Sequence, residues 1–234
     1  MAPMRADASE RSEMVSQLLF GDSFSVLEKK DAWLHIRTHV DDYAGWVSAN
    51  MVTADIPKCS RQKVVSTPLL ACRIFPDNIT LHLPGGSILP EPVFEHGGKT
   101  YLPENIPDEN GQDTVSLAEQ YLGAPYLWGG KTMFGIDCSG LVQVVCRMAG
   151  VWLPRDADRQ EKCGKPTSFE DASRGDIAFF ADRHGNVTHT GLLRGDGTIL
   201  HASGCVRKDR CDRKGIFNTT EKRYTHHLYS IKRL

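Results

Sequence analysis

The sequence predicts an α+β domain on the C-terminal side, preceded by two small all-β barrels, and three observations carry that prediction. Short apolar runs separated by polar turn clusters fill the first half of the chain. A breaker-rich run, PENIPDENGQD from Pro103, follows them. Beyond it, two segments of helical periodicity lead into strand patterns bounded by Asp/Gly turns, the order of an α+β domain. The length of 234 residues fits one large or two to three small domains, at a prior of about 150 residues each. Boundaries fall at 1–56, 57–112 and 113–234.

In the first module FSVL (Phe24 to Leu27), WLHI (Trp33 to Ile36) and GWV (Gly45 to Val47) read as strands between EKKDA and HVDDYA turns. From about Lys58 the style repeats: VVSTPLL, ITLHL and TYLP are strand candidates, with LPGG and EHGGK as turns. TVSLAEQYLGAPY then places Val115, Ala118 and Leu122 at helical spacing, with Thr114 as start and Gly123 and Pro125 as stop. The second helix is SGLVQVVCRMAG, where Leu141, Val144, Val145 and Met148 recur at i, i+3, i+4, i+7 and Gly150 closes the run. DIAFFA, THTGLLRG and TILHASG are the strands that follow.

Composition narrows the function. Lys+Arg total 28 against 29 Asp+Glu, a net charge of −1 that excludes a generic nucleic-acid binder. No apolar run approaches a membrane span, and MAPMRADASERSEM, Met1 to Met14, lacks a signal core. Localisation is therefore expected to be periplasmic or extracellular with a signal outside this sequence, or alternatively cytoplasmic. Seven Cys without a CxxC pair fit neither a disulfide framework nor a structural zinc site, and Cys205 and Cys211 read as two free thiols in a loop.

The chemistry converges on Cys138. A cysteine at a helix N-terminus faces the positive end of the dipole and free N–H groups, which favour thiolate. Taken alone, Cys138 would read as a buried core thiol. His189 and His201 change that reading, because adjacent antiparallel strands bring two imidazoles side by side, one as base to Cys138 and the other to orient it. A metal site adding His184 lacks any supporting spacing. Asp137 also reads as a helix cap, and Arg155 with Asp156 as either a structural ion pair or a substrate contact. Trp128, Gly129 and Gly130 read as cleft wall, Cys146 as core, and His226 and His227 as exposed polar residues; Cys59, Cys72 and Cys163 carry no functional expectation.

YLWGG, DCSGLV, LPRDA, GDIAFF, THTGLL and ILHASG, in that order, resemble the papain-like NlpC-type cell-wall cysteine peptidases over about the last 120 residues. The resemblance implies a papain-like catalytic domain with Cys138 as nucleophile, His189 as base and His201 as the residue that orients it. It also implies that Tyr126 lies near the thiol, that Asp137 and Ser139 line the acceptor side of the cleft, and that no cofactor is needed. Tandem bacterial SH3-like domains ahead of such a domain resemble the subgroup that cleaves γ-D-glutamyl-L-diamino acid bonds in murein peptides. There the first SH3-like domain closes the cleft and reads a free N-terminal L-Ala. DDYAGWV is similar to its DGYxGW signature, which makes Tyr43 a contact for that ammonium, with Glu13 as the acidic partner. The implied partners are peptidoglycan-derived peptides, with the protein as a monomer.

Two features depart from or add to the pattern. Ala157 stands where many relatives carry a substrate-touching Ser. Gly204 to Leu234 holds nine Lys+Arg against three Asp+Glu, read as a solvated loop rather than a basic rim that steers substrate. Competing functions are a cell-wall amidase or acyltransferase on the same fold, or a non-catalytic wall-binding protein.

Overall fold

The structure is a computed structural model that describes residues 1–53, 63–106 and 113–234. The expected boundaries at 56/57 and 112/113, and Cys59, lie outside the described residues.

Strands Ala2–Arg5 (β1), Met14–Leu18 (β2), Phe24–Lys30 (β3), Trp33–Thr38 (β4) and Ala44–Ser48 (β5) form one antiparallel sheet in the order β2-β1-β5-β4-β3. Alternation puts Met4, Leu18, Ile36 and Val47 inside it. The loops entering β2 and β5 carry Glu13 and Tyr43 respectively, both toward the C-terminal domain.

The next segment holds Lys63–Val64 (β6), Leu69–Phe75 (β7), Ile79–Pro84 (β8), Ile88–Leu89 (β9), Phe94–His96 (β10) and Lys99–Pro103 (β11). A four-stranded sheet runs β10-β11-β7-β8, and β6 pairs with β9 around a core of Val65, Leu70, Cys72, Leu83, Leu89 and Phe94. VVSTPLL is two strands rather than one. Pro68 offers no N–H to a ladder, and a bend at Thr67 and Pro68 separates β6 from β7.

The C-terminal domain contains three helices, Thr114–Glu119 (α1), Cys138–Met148 (α2) and Ala157–Gln160 (α3), and a short pair, Lys131–Thr132 (β12) with Gly135–Ile136 (β13). Its main sheet comprises Lys165–Pro166 (β14), Ile177–Ala181 (β15), Val187–Leu193 (β16), Thr198–Ser203 (β17), Cys205–Asp212 (β18), Gly215–Asn218 (β19) and Arg223–Arg233 (β20). The order is β14-β20-β15-β16-β17-β18-β19, and a further β19–β20 pairing joins the far end back to β20. The segment after Gly204 is therefore strand, not loop. Asp209 and Cys211 are buried while Lys208 and Arg210 face solvent, the alternation of a half-buried strand that its high charge conceals in the sequence. Cys205 and Cys211 sit at separated positions of that one strand as free thiols.

Asp113, not Thr114, caps α1, accepting from the Val115 and Ser116 N–H groups. The helix ends at Glu119, so Leu122 leaves its apolar face and is exposed. All eleven residues of helix α2 are buried, the polar Gln143 and Arg147 included. Leu141, Val144 and Val145 pack in the domain core with α1 and the sheet. On the other side Gln143 Nε2 donates to Asp41 Oδ2 at 2.8 Å, and Arg147 Nη2 to Asp22 Oδ1 at 2.6 Å. The first sheet therefore covers the polar face of α2 and fixes its own place over the helix N-terminus.

Candidate active site

The turn Trp128-Gly129-Gly130 and the end of β13 deliver the chain into α2. Asp137 is the cap, accepting from Gly140 N at 2.7 Å and from Gly129 N at 2.8 Å. Gly129 has φ +77°, and a Cβ there would lie 2.4 Å from the Met14 carbonyl, so the turn and the first sheet meet at backbone distance. Arg155 binds the same carboxylate, Nη2 to Oδ2 at 2.5 Å and Nη1 to Oδ1 at 3.1 Å, and Nη1 also reaches Ser139 Oγ at 2.8 Å. The buried hydrogen-bonded ion pair is thus Arg155 with Asp137. Asp156 instead accepts from the Tyr43 hydroxyl, a bond between the two ends of the cleft wall.

Cys138 opens α2 and is buried, with the backbone N–H groups of Thr190 and Ser139 directed at its sulphur. Burial pushes the thiol up to about 11, and the Asp137 charge adds to that; the N–H groups and Arg155 pull it down. His189, on β16, is held well below the ordinary imidazole range, first by burial and then by His226 and His201. Burial thus opposes both the thiolate of Cys138 and the imidazolium of His189. The thiolate expected from the helix N-terminus alone is outweighed by desolvation.

His189 Nε2 lies 2.8 Å from His201 Nδ1, with the two rings perpendicular. His201 Nε2 lies 3.0 Å from Asp209 Oδ2. Strands β16 and β17 set the first contact, and β17 with β18 the second, since His201 is opposite Arg207 and Asp209 stands two residues on. His226 is not a solvent residue: it is half-buried on β20 and stacks on His189 at 4.0 Å between ring centroids. Tyr126 is half-buried beside the thiol, and burial, then the charges of Cys138 and Asp137, push its hydroxyl up to about 12, so it remains a donor.

A cleft of about 600 Å³ opens on Cys138. Its walls include Ser139 and Asp156 of the C-terminal domain and Glu13 and Tyr43 of the first sheet. Trp128 Nε1 donates to Glu13 Oε1 at 2.6 Å, so the Trp wall is joined to that sheet. Of the expected residues, Glu13, Tyr43, Trp128, Asp137 and Ser139 line the cleft with Cys138, Tyr126 interacts with the thiol, and His189 adjoins Thr190, whose N–H points at the sulphur. Asp137 reaches the cleft with both oxygens already engaged. His184 sits in the exposed turn between β15 and β16, and among the described residues no group of three His, Cys, Asp or Glu side chains could hold a metal ion. Asp209, His226 and the Tyr43–Asp156 bond lay beyond sequence reasoning. Reading Ser203-Gly204-Cys205 as a hairpin turn would have set His201 opposite Arg207 and exposed Asp209.

A cysteine at a helix N-terminus opening on a cleft, with two hydrogen-bonded histidines on the adjoining strands, is an arrangement that suits a cysteine-type hydrolase. Residues 123–230 match the NlpC/P60 family, and residues 4–51 match the bacterial dipeptidyl-peptidase Sh3 domain. The chain thus holds an NlpC/P60 domain, of a cysteine peptidase family, with a bacterial Sh3 domain ahead of it. It is similar to the γ-D-glutamyl-L-lysine dipeptidyl-peptidase of Bacillus subtilis, 27% identical over 93% of this chain and 80% of that one. It is also similar to the protein of that name from Bacillus cereus, 25% identical over 84% of this chain and 69% of the relative. The fold matches the crystal structure of an NlpC/P60 family protein from Bacillus cereus, with a TM-score of 0.79 and 23% identity over 94% of this chain and 82% of that chain.

Proposed function

We propose that the protein hydrolyses the γ-D-glutamyl-L-diamino acid bond of murein peptides that bear a free N-terminal L-Ala, through Cys138, His189 and His201. The observation that carries this reading is that Glu13 and Tyr43 of the first sheet, with Asp156 bonded to the Tyr43 hydroxyl, line the same cleft as Cys138. Two carboxylates contributed to one cleft suit an α-ammonium. The names of the Bacillus relatives support the same substrate class. Residues 1–56 and 57–112 are read as two SH3-like barrels, of which the first supplies this part of the cleft, and 113–234 as the peptidase.

The reaction starts from a thiol and a neutral imidazole, the forms that burial favours. As the sulphur of Cys138 attacks the D-Glu γ-carbonyl, His189 Nδ1 takes the thiol proton. N–H groups at the start of α2 and the Tyr126 hydroxyl hold the oxyanion; one such donor is worth about 10²- to 10³-fold in rate. His189 then protonates the leaving α-amine of the diamino acid, and a thioester to Cys138 remains. Water, deprotonated by His189, attacks the thioester and releases the dipeptide, and the proton returns to the sulphur. Trp128 and Ser139 line the path of the dipeptide, and Ala157 leaves that wall one hydroxyl short.

The test is a kinetic comparison of L-Ala-γ-D-Glu-diamino acid with the same peptide acetylated at its amine. A kcat/KM at least about 100-fold lower for the blocked peptide is expected from the lost charged contacts to the two carboxylates. Equal rates would contradict the reading.

A further inference from the structure

We propose that Asp209, steadied by Arg207, is a positioning residue that fixes which nitrogen of His201, and through it of His189, carries the proton. The inference rests on the catalytic reading above. An ionised carboxylate only accepts hydrogen bonds, so His201 Nε2, 3.0 Å from Asp209 Oδ2, must be the N–H of its ring. A neutral imidazole has one N–H, which makes His201 Nδ1 an acceptor. The His189 Nε2 that lies 2.8 Å from it then carries the His189 proton. His189 Nδ1 is left with a free lone pair, the state a base toward Cys138 requires. Reverse the tautomers along this chain and a proton sits on Nδ1, where it blocks the transfer.

Asp209 is built to stay ionised. It is buried, yet Arg207 Nη2 donates to Oδ1 at 2.9 Å and Arg207 Nε lies 2.7 Å from Oδ2. Burial pushes the carboxyl up, but the bonds from His201 and Arg207 outweigh it and hold the group below the usual carboxylate range. Besides His189, the ring facing His201 is His226, edge-on with centroids 5.8 Å apart, and its Nδ1 bonds to the Thr225 hydroxyl rather than to His201. His201 therefore depends on Asp209 for its tautomer, and Arg207, half-exposed, ties that carboxylate to the surface of β18.

The experiment combines histidine-selective ¹⁵N long-range NMR with steady-state kinetics on the full chain. The wild type should show both His189 and His201 as Nε2–H tautomers. Asp209→Leu should move His201 toward Nδ1–H and lower kcat by about 10² to 10⁴, the scale of a wrong-tautomer base, with KM within about twofold. Asp209→Glu, which keeps an acceptor, should recover at least a tenfold part of that loss. A wild-type His201 in the Nδ1–H form, or an Asp209→Leu variant with unchanged tautomers or kcat within about threefold, overturns the proposal. If Asp209→Leu does not fold, the wild-type spectrum and Arg207→Met decide: Arg207→Met should lower kcat with KM unchanged, and full activity there counts against the proposal. A wild type with the expected tautomers but no peptidase activity would refute the catalytic reading and leave the tautomer assignment standing.

Discussion

The indole N–H of Trp128 donates to Glu13 at 2.6 Å across 115 positions of sequence, joining the catalytic domain's cleft wall to the first sheet. With the Tyr43–Asp156 bond it makes the cleft wall a composite of two sequence segments, neither of which contains that surface alone.

Glu13→Gln should therefore weaken substrate capture while sparing the chemistry. A hydrogen bond to a charged group contributes about 1.5–3 kcal/mol, which corresponds to a rise in KM of about ten- to a hundredfold. kcat should stay within a few-fold, because Glu13 does not touch the reacting carbonyl. Steady-state kinetics with the free-amine peptide check it; an unchanged KM removes Glu13 from the amine site.

The Asp22–Arg147 pair is almost wholly buried at the same domain contact, with side-chain exposures of 1% and 4%. Arg147→Met leaves the Asp22 carboxylate buried without its cation, at a cost of about 3–5 kcal/mol, whereas adding Asp22→Leu should recover most of it. Denaturant unfolding of the two variants measures this, and a single variant as stable as the wild type contradicts the role of the pair in seating the first sheet.

The pH dependence has a definite sign. Burial, then His226 and His201, hold His189 well below the imidazole range, and burial first also pushes His226 down to about 4. An unfolded imidazole titrates near 6.5, so below that pH the unfolded chain binds more protons than the fold. Stability from these groups is thus present in full above about pH 7 and is lost as pH falls from about 6.5 toward 4. The acid limb of kcat/KM, which needs neutral His189, should lie below 6.5. His226→Phe keeps a ring against His189 but removes a like charge, so that limb should move up. Thermal unfolding across pH and a pH–rate profile test both statements; an acid limb above 7 in the wild type contradicts them.

The parts of the candidate site were legible in the sequence because they are local: Cys138 starts a helix with clear periodicity, and His189 and His201 lie on consecutive strands joined by the RGDG turn. What the sequence concealed is tertiary. The partners of the buried Gln143 and Arg147, Asp41 and Asp22, lie about 100 or more positions away. The segment from Gly204 looked like a loop because its charged residues face water on one side of a strand whose other side is core. His226 reached His189 only through the pairing of β20 with β15, a register that no local pattern encodes.

The central claim is tested most directly by mass spectrometry of L-Ala-γ-D-Glu-meso-diaminopimelate incubated with the wild type and with Cys138→Ala, whose folds are compared by circular dichroism. Free diaminopimelate and the L-Ala-γ-D-Glu dipeptide are expected from the wild type alone, with both proteins equally folded. Release of diaminopimelate by Cys138→Ala, or none by the folded wild type, would contradict it.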